Sequence, residues 1–163
     1  MARVIHSAGL LMYRRSQPEP EVLLVHPGGP FWIKKDDGAW SIPKGLYEEN
    51  EDPLRAARRE FAEETGCHAN GDFMELCSFK QPGGKIISAW ALEGDFDVGS
   101  LRSNTFSIEW PPRSGRMETF PEVDRAEWFT PPVAGKKLVK GQVEIIDALL
   151  GELMIRSSGR LRF

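Results

Sequence analysis

Seven residues between positions 45 and 66 have types and spacings that could do chemistry: Gly45, Glu51, Arg59, Glu60, Glu63, Glu64 and Gly66, four of them glutamates. The second half of this stretch reads as a helix. Asp52 is a good N-cap, Pro53 fits the first helical position, where its missing N–H is not needed, and Gly66 stands where a left-handed residue would end the helix. At about 100° per residue, Leu54, Ala57 and Phe61 share a core-facing stripe, and Glu60, Glu63 and Glu64 fall within an adjacent arc of about 100°. Carboxylates this close weaken a helix by a few tenths of a kcal/mol per pair, and they lie at its C-terminal end, where the dipole disfavours negative charge. A divalent cation would reverse both penalties. Hard oxygen ligands on a rigid element suit Mg²⁺ or Mn²⁺ rather than zinc or copper.

The rest of the chain must position that helix. Residues 3 to 14 and the segment EVLLVHP read as two apolar strands, paired as a hairpin across the turn SQPEP. His6 and His26 lie in or beside these strands and read as structural histidines rather than bases. Residues 28 to 40 form a glycine-punctuated loop in which Phe31 and Trp32 either pack inward or stack on a base. A short strand from Trp40 leads through Lys44 into the acidic stretch, and that lysine is either a cation that would meet a phosphate or an ordinary surface lysine. Residues 72 to 81 and 84 to 96 read as strands joined by a Pro-Gly-Gly turn. Residues 104 to 110 and GRMETFPE flank a turn whose Arg113 and Arg116 are either phosphate clamps or solvated side chains. AEWF is a further short strand, and QVEIIDALLGEL places Val143, Ile146, Leu149, Leu150 and Leu153 on one face of a closing helix. Strands flanking an acidic helix, with a second helix covering the other side, predict an α/β/α sandwich around a mixed sheet, one domain over residues 1 to 163.

The full spacing resembles the signature of the Nudix hydrolases, G-x5-E-x7-R-E-U-x-E-E-x-G-U, where U is a bulky apolar residue. All seven fixed positions match, a coincidence on the order of one in a million at ordinary residue frequencies. Phe61 and Cys67 depart from the usual aliphatics at the U positions, which touches packing rather than chemistry. The resemblance implies hydrolysis of a pyrophosphate bond, with metal ions held by the carbonyl of Gly45 and the side chains of Glu60, Glu63 and Glu64. It implies that Glu60 doubles as a general base in some members, that Arg59 orients a signature glutamate, and that Glu51 braces the loop. Many members bring one more carboxylate from a loop beyond the central strands; Glu122 is the candidate, with Glu118 as the fallback.

The lead-in Trp40-Ser41-Ile42-Pro43-Lys44-Gly45 resembles that of the diadenosine-polyphosphate-hydrolysing branch, and favours nucleoside triphosphates or dinucleoside polyphosphates as substrates. Pro82, fifteen residues past the signature, is a feature of some ADP-ribose-hydrolysing relatives, which leaves ADP-ribose or nucleotide sugars as an alternative. The tyrosine common near that place in dinucleoside-polyphosphate hydrolases is absent. A reading of another class is a nucleotide-binding sensor without turnover; such domains commonly lose signature glutamates, and this chain keeps them.

Composition bounds the partners. A net charge of −3 over 163 residues argues against a nucleic-acid-coating surface while leaving room for a small anionic substrate, and the chain reads as a monomer or homodimer. Cys67 and Cys77 are too few for a disulfide framework and read as reduced packing thiols. No apolar run approaches membrane-spanning length and the N-terminal apolar segment is short for a signal peptide, so the expected location is the cytoplasm, with no membrane partner.

Overall fold

The order of the sheet is set by where apolar strands can find partners. The computed structural model describes residues 4–15 and 18–160. Its first strand, β1 (His6–Arg14), lies between β5 (Ile86–Glu93), to which it is parallel, and β2 (Glu21–Pro27), to which it is antiparallel. With β4 (Met74–Lys80) outside β5 and β8 (Val123–Phe129) outside β2, the order is β4-β5-β1-β2-β8, with β3 (Lys44–Leu46) also pairing β1. One parallel pair among antiparallel ones makes the sheet mixed, as expected. The β1–β2 pairing is also as expected, although part of its turn, residues 16 and 17, lies outside the described residues.

Buried residues alternate across the sheet, as a period of two requires. Leu10, Met12, Leu23 and Val25 point to one face, where they pack with Ala56, Ala57 and Phe61 of α1 (Pro53–Thr65). Leu11, Tyr13, Val22 and Leu24 point to the other, where they meet α2 (Pro131–Lys137) and α3 (Val143–Arg160) through Ala134, Leu138, Ile145 and Leu149. The molecule is therefore an α/β/α sandwich. No helix among the described residues is long and apolar enough to cross a membrane.

Between β1 and β2 the sheet opens, and that opening positions the acidic stretch. β2 pairs with β1 near Tyr13–Val22, whereas at Ser7–Gly9 the partner is β3. The segment 40–43 fills the gap: Leu10 N–H donates to Pro43 O (3.1 Å) and Val25 N–H to Ser41 O (2.8 Å). Gly9 permits the approach, since a Cβ there would sit 2.8 Å from Pro43 O and 2.9 Å from Lys44 Cβ. The strand expected from Trp40 is thus only isolated bridges at Trp40 and Ser41, and regular pairing begins at Lys44, past Pro43.

Four further expectations need correction. Leu54 is only half-buried, and the core stripe of α1 runs instead through Ala56, Ala57, Glu60 and Phe61. The strands β6 (Thr105–Glu109) and β7 (Met117–Pro121) pair with each other in a separate two-stranded sheet. β8 starts at Val123, three residues before AEWF. α3 extends to Arg160 and buries Ile145 as well as the anticipated face.

Candidate active site

α1 is fixed at both ends by its own residues. The Asp52 carboxylate accepts from Arg55 N–H at 3.0 Å, and Gly66 ends the helix at φ 80°, donating its N–H to Ala62 O. Two more terminal carbonyls find partners outside the helix, as a buried helix end requires. Arg102 N–H donates to Thr65 O (2.9 Å) and Asn104 N–H to Glu63 O (2.8 Å). The chain then closes a clamp: Glu122 N–H donates to Asn104 O (2.8 Å) and Gly28 N–H to Glu122 O (2.9 Å). A residue sixty positions downstream is thereby tied to the end of the acidic helix. Asn104 is the component that sequence reasoning missed; its contribution is made by backbone atoms and leaves no pattern in the side chains.

The carboxylates are held in contrasting ways. Arg59 makes a two-pronged contact with Glu51 (Nε to Oε2 3.2 Å, Nη2 to Oε1 3.1 Å), and its Nη1 donates to Glu60 Oε1 at 2.9 Å. The same nitrogen lies 3.5 Å from Glu63 Oε1. Glu60 is 9% exposed, and burial followed by the neighbouring charge of Glu63 pushes its carboxyl upward. Glu64 accepts from Lys44 N–H at 3.3 Å, and burial drives its pKa to about 8 against the opposing pull of Lys44. Glu122 adds to the upward push on both Glu60 and Glu64, so its charge reaches the cluster; Glu118 lies in β7 opposite Ile108. Gly45 lies directly against the carboxylate of Glu60, which occupies the space a Cβ would need.

Among the described residues no three His, Cys, Asp or Glu side chains already converge as a metal cage. The donor set nevertheless fits a hard divalent cation. Its ligands are all oxygens, two carboxylates are raised by burial, and like charges aggravate both. A cation must displace the proton that Glu64 holds below pH about 8. Affinity for Mn²⁺ or Mg²⁺ is therefore expected to rise with pH up to about 8, with release of about one proton, read by calorimetry in buffers of different ionisation enthalpy. Metal-free stability runs the other way. The folded carboxyl lies above its model value of 4.5, the native state holds the extra proton, and stability falls as pH rises from about 4.5 to about 8. Metal affinity that is flat across that interval would remove Glu64 from the ligand set.

The remaining candidates divide. Trp32 and Lys44 line one pocket of about 400 Å³, whose wall also includes Pro82, Lys85, Lys140 and Gln142. Phe31 is exposed and meets Trp110 edge-on, with ring centroids 5.2 Å apart. Arg113 and Arg116 sit exposed at the tip of the β6–β7 hairpin and do not line that pocket; their backbone N–H groups bond Glu109 and Ser114. A second groove, about 650 Å³, follows the outer side of α1 past Arg55, Arg58 and Arg59. His26 is fully buried, with Nδ1 2.7 Å from Asp124 Oδ1 and Nε2 2.6 Å from Lys35 O, a structural cross-brace between β8 and the 28–40 loop. His6 lies tilted beside Tyr47, with ring centroids 6.0 Å apart. Cys67 is a free thiol against the α1-side core.

An acidic helix face, tied at its end to the backbone of Glu122 and flanked by a lysine-lined pocket, sits on this α/β/α scaffold. The family model described as the NUDIX domain matches residues 5–149, and the chain belongs to that family. It is 29% identical over 113 residues to Nudix hydrolase 7 of Arabidopsis thaliana, an alignment covering 64% of this chain and 38% of that protein. The chain thus spans well under half the length of that relative. Among solved structures it is similar to the NUDIX domain of Shewanella oneidensis NrtR complexed with ADP ribose (TM-score 0.65, 16% identity, 94% and 90% of the two chains). It is also similar to a C. elegans Ap4A hydrolase binary complex (TM-score 0.63, 21% identity, 93% and 98%). At those identities the structural likeness speaks for the fold.

Proposed function

We propose that the chain is a Mg²⁺- or Mn²⁺-dependent hydrolase of a pyrophosphate bond in a nucleoside diphosphate derivative, favouring nucleoside triphosphates or dinucleoside polyphosphates. The observation that carries this reading is a pair of upward-shifted carboxylates on a helix of the family's spacing, the buried Glu60 against Gly45 and the half-buried Glu64 on the Lys44 backbone N–H. The residues proposed to hold the metals are Glu60, Glu63, Glu64, Glu122 and the Gly45 carbonyl. When bound, such ions neutralise phosphate oxygens and activate water. In this reading Glu60 accepts the proton from the attacking water, supported by the burial that keeps it more basic than a surface glutamate. Arg59 fixes Glu60 in orientation through Nη1 while Glu51 holds the guanidinium from behind. Lys44 meets the phosphate next to the metals, and Trp32 offers a face to the base.

Two other readings stand on particular observations. Pro82 lines the Lys44 pocket, as a specificity residue for ADP-ribose or a nucleotide sugar would. A sensor without turnover remains the reading of another class. The test is phosphate or nucleotide release from a panel of nucleotides with Mg²⁺, Mn²⁺ or excess chelator. Turnover of at least one anhydride that stops on chelation is expected. Tight nucleotide binding with no turnover in either metal would establish the sensor instead.

A further inference from the structure

A strand at the end of a sheet presents a row of unpaired N–H and C=O groups, and it templates further pairing unless it is bent, charged, covered or interrupted by proline. β4, at one end of the main sheet, has a register break between Glu75 and Cys77 and finishes in Lys80. β8, at the other end, carries Asp124, Arg125 and Glu127 and is packed by the single turn Val98–Ser100. In the small sheet, β7 finishes in Pro121, against whose carbonyl the Gly28 backbone lies. β6, TFSIE, has no proline, no basic residue and no register break. The hairpin ladder fixes which of its backbone groups are free. Trp110 N–H donates to Arg116 O (2.9 Å) and Glu122 N–H to Asn104 O (2.8 Å), so the bonded pairs fall at the even positions of this strand. The N–H and C=O of Thr105, Ser107 and Glu109 therefore point outward. Pro121, with no N–H to give, stands opposite Thr105 in a non-bonded pair, in keeping with that alternation. Among the described residues these outward groups have no hydrogen-bond partner.

A second copy of the chain fits that edge. Laid antiparallel about a twofold axis at Ser107, β6 sets Thr105 opposite Glu109, Phe106 opposite Ile108 and Ser107 opposite itself. The free positions 105, 107 and 109 then face one another, and each outward N–H meets an outward C=O. On one face of the sheet the half-buried Phe106 and Ile108 become cross-strand apolar neighbours. On the other a hydroxyl meets a carboxylate, and Glu109 never meets itself. β7 has no equivalent solution, because the same operation about Thr119 sets Met117 opposite Pro121, which cannot donate. Pairing also converts a two-stranded sheet, marginal by itself, into a four-stranded one. We propose that the chain forms a homodimer by antiparallel β6–β6 pairing about Ser107. One five-residue ladder falls short of the roughly 1,600 Å² of a standard interface, which sets the expected dissociation constant at about 100 µM.

Sedimentation equilibrium of the wild type up to about 1 mM should show monomer and dimer in exchange; monomer throughout overturns the proposal. Ser107→Lys sets like charges directly opposite each other on the axis and should weaken the dimer by at least about tenfold. Thr119→Lys is its control. It adds the same charge to the same face of the hairpin and breaks the same Ser107–Thr119 hydroxyl contact of 2.9 Å. It lies three strand spacings, about 14 Å, from its own copy, beyond the screening length at 0.1 M salt, and should leave the dimer within about twofold. Thr105→Lys meets Glu109 of the second copy twice per dimer and should tighten it about threefold. Equal effects of Ser107→Lys and Thr119→Lys, or no tightening by Thr105→Lys, overturn the register. Amide hydrogen exchange decides without any variant. Between roughly 10 µM and 1 mM the Thr105, Ser107 and Glu109 amides should slow about fourfold, while those of Phe106 and Ile108, already bonded within the hairpin, change less. Slowing that does not alternate along β6, or no slowing at all, overturns the proposal.

Discussion

Glu63→Gln is expected to lower kcat by about 10²-fold or more, at or above the 10–100-fold lost when a partner of a metal site is removed, while leaving the protein as stable as before within about 0.5 kcal/mol. The two halves of that expectation come from the same geometry. Glu63 is half-exposed and sits between Arg59, 3.5 Å away, and Glu60, whose carboxyl its charge pushes upward. Removing the charge loses a partly exposed i,i+4 contact of a few tenths of a kcal/mol and relieves a repulsion of similar size. Arg59 keeps its two bonds to Glu51 and its bond to Glu60. The isosteric amide keeps the shape and removes the charge of a proposed hard anionic ligand. Thermal unfolding without metal and turnover with Mg²⁺ provide the two readings. Equal rates for wild type and variant would sink the hydrolase assignment; a drop in stability of several kcal/mol would make Glu63 a structural residue.

The acidic helix was legible because its determinants are local. Asp52, Pro53 and Gly66 cap it within fourteen residues, and the structure sets its bounds where those caps put them. The apolar runs of β1, β2, β4 and β5 were legible for the same reason. α2 was not. Its sequence, PPVAGKK, carries two prolines and a glycine and shows no helical period, yet Pro131 stands at the first helical position. What holds it is tertiary: Ala134 is buried, Lys136 and Lys137 complement the dipole, and Lys137 reaches Asp36 at 2.8 Å and Asp37 at 3.0 Å across the sheet's edge. The site divides along the same line. Glu60, Glu63 and Glu64 could be named from spacing, whereas Lys85 and Lys140 share a pocket wall with Lys44 because two turns pack at Pro82 and Gly141. Glu122, already the first candidate from its place before Trp128, is tied to the helix end by backbone bonds through Asn104 that leave no trace in the side-chain pattern.

Gly45→Ala is expected to fold and to lose activity by at least about 10²-fold. Gly45 pairs with Ala8 of β1 and is half-buried, and its φ is not in the left-handed region, so the alanine backbone itself is unstrained. The added methyl would instead fall on the Glu60 carboxylate, overlapping Cδ and both oxygens. Those atoms are the far end of a flexible side chain, so the clash is relieved by turning Glu60 rather than by moving β3 or α1. The turned carboxylate gives up its 2.9 Å contact with Arg59, and its proposed place beside the Gly45 carbonyl is filled by a methyl group. Loss of one buried, charge-assisted hydrogen bond costs about 1–3 kcal/mol. Chemical denaturation should therefore show a protein destabilised by no more than that, while kcat falls and metal affinity weakens with it. If Gly45→Ala retained wild-type turnover, Glu60 could move from this position without consequence, and neither its proton-accepting role nor its place among the metal ligands would survive.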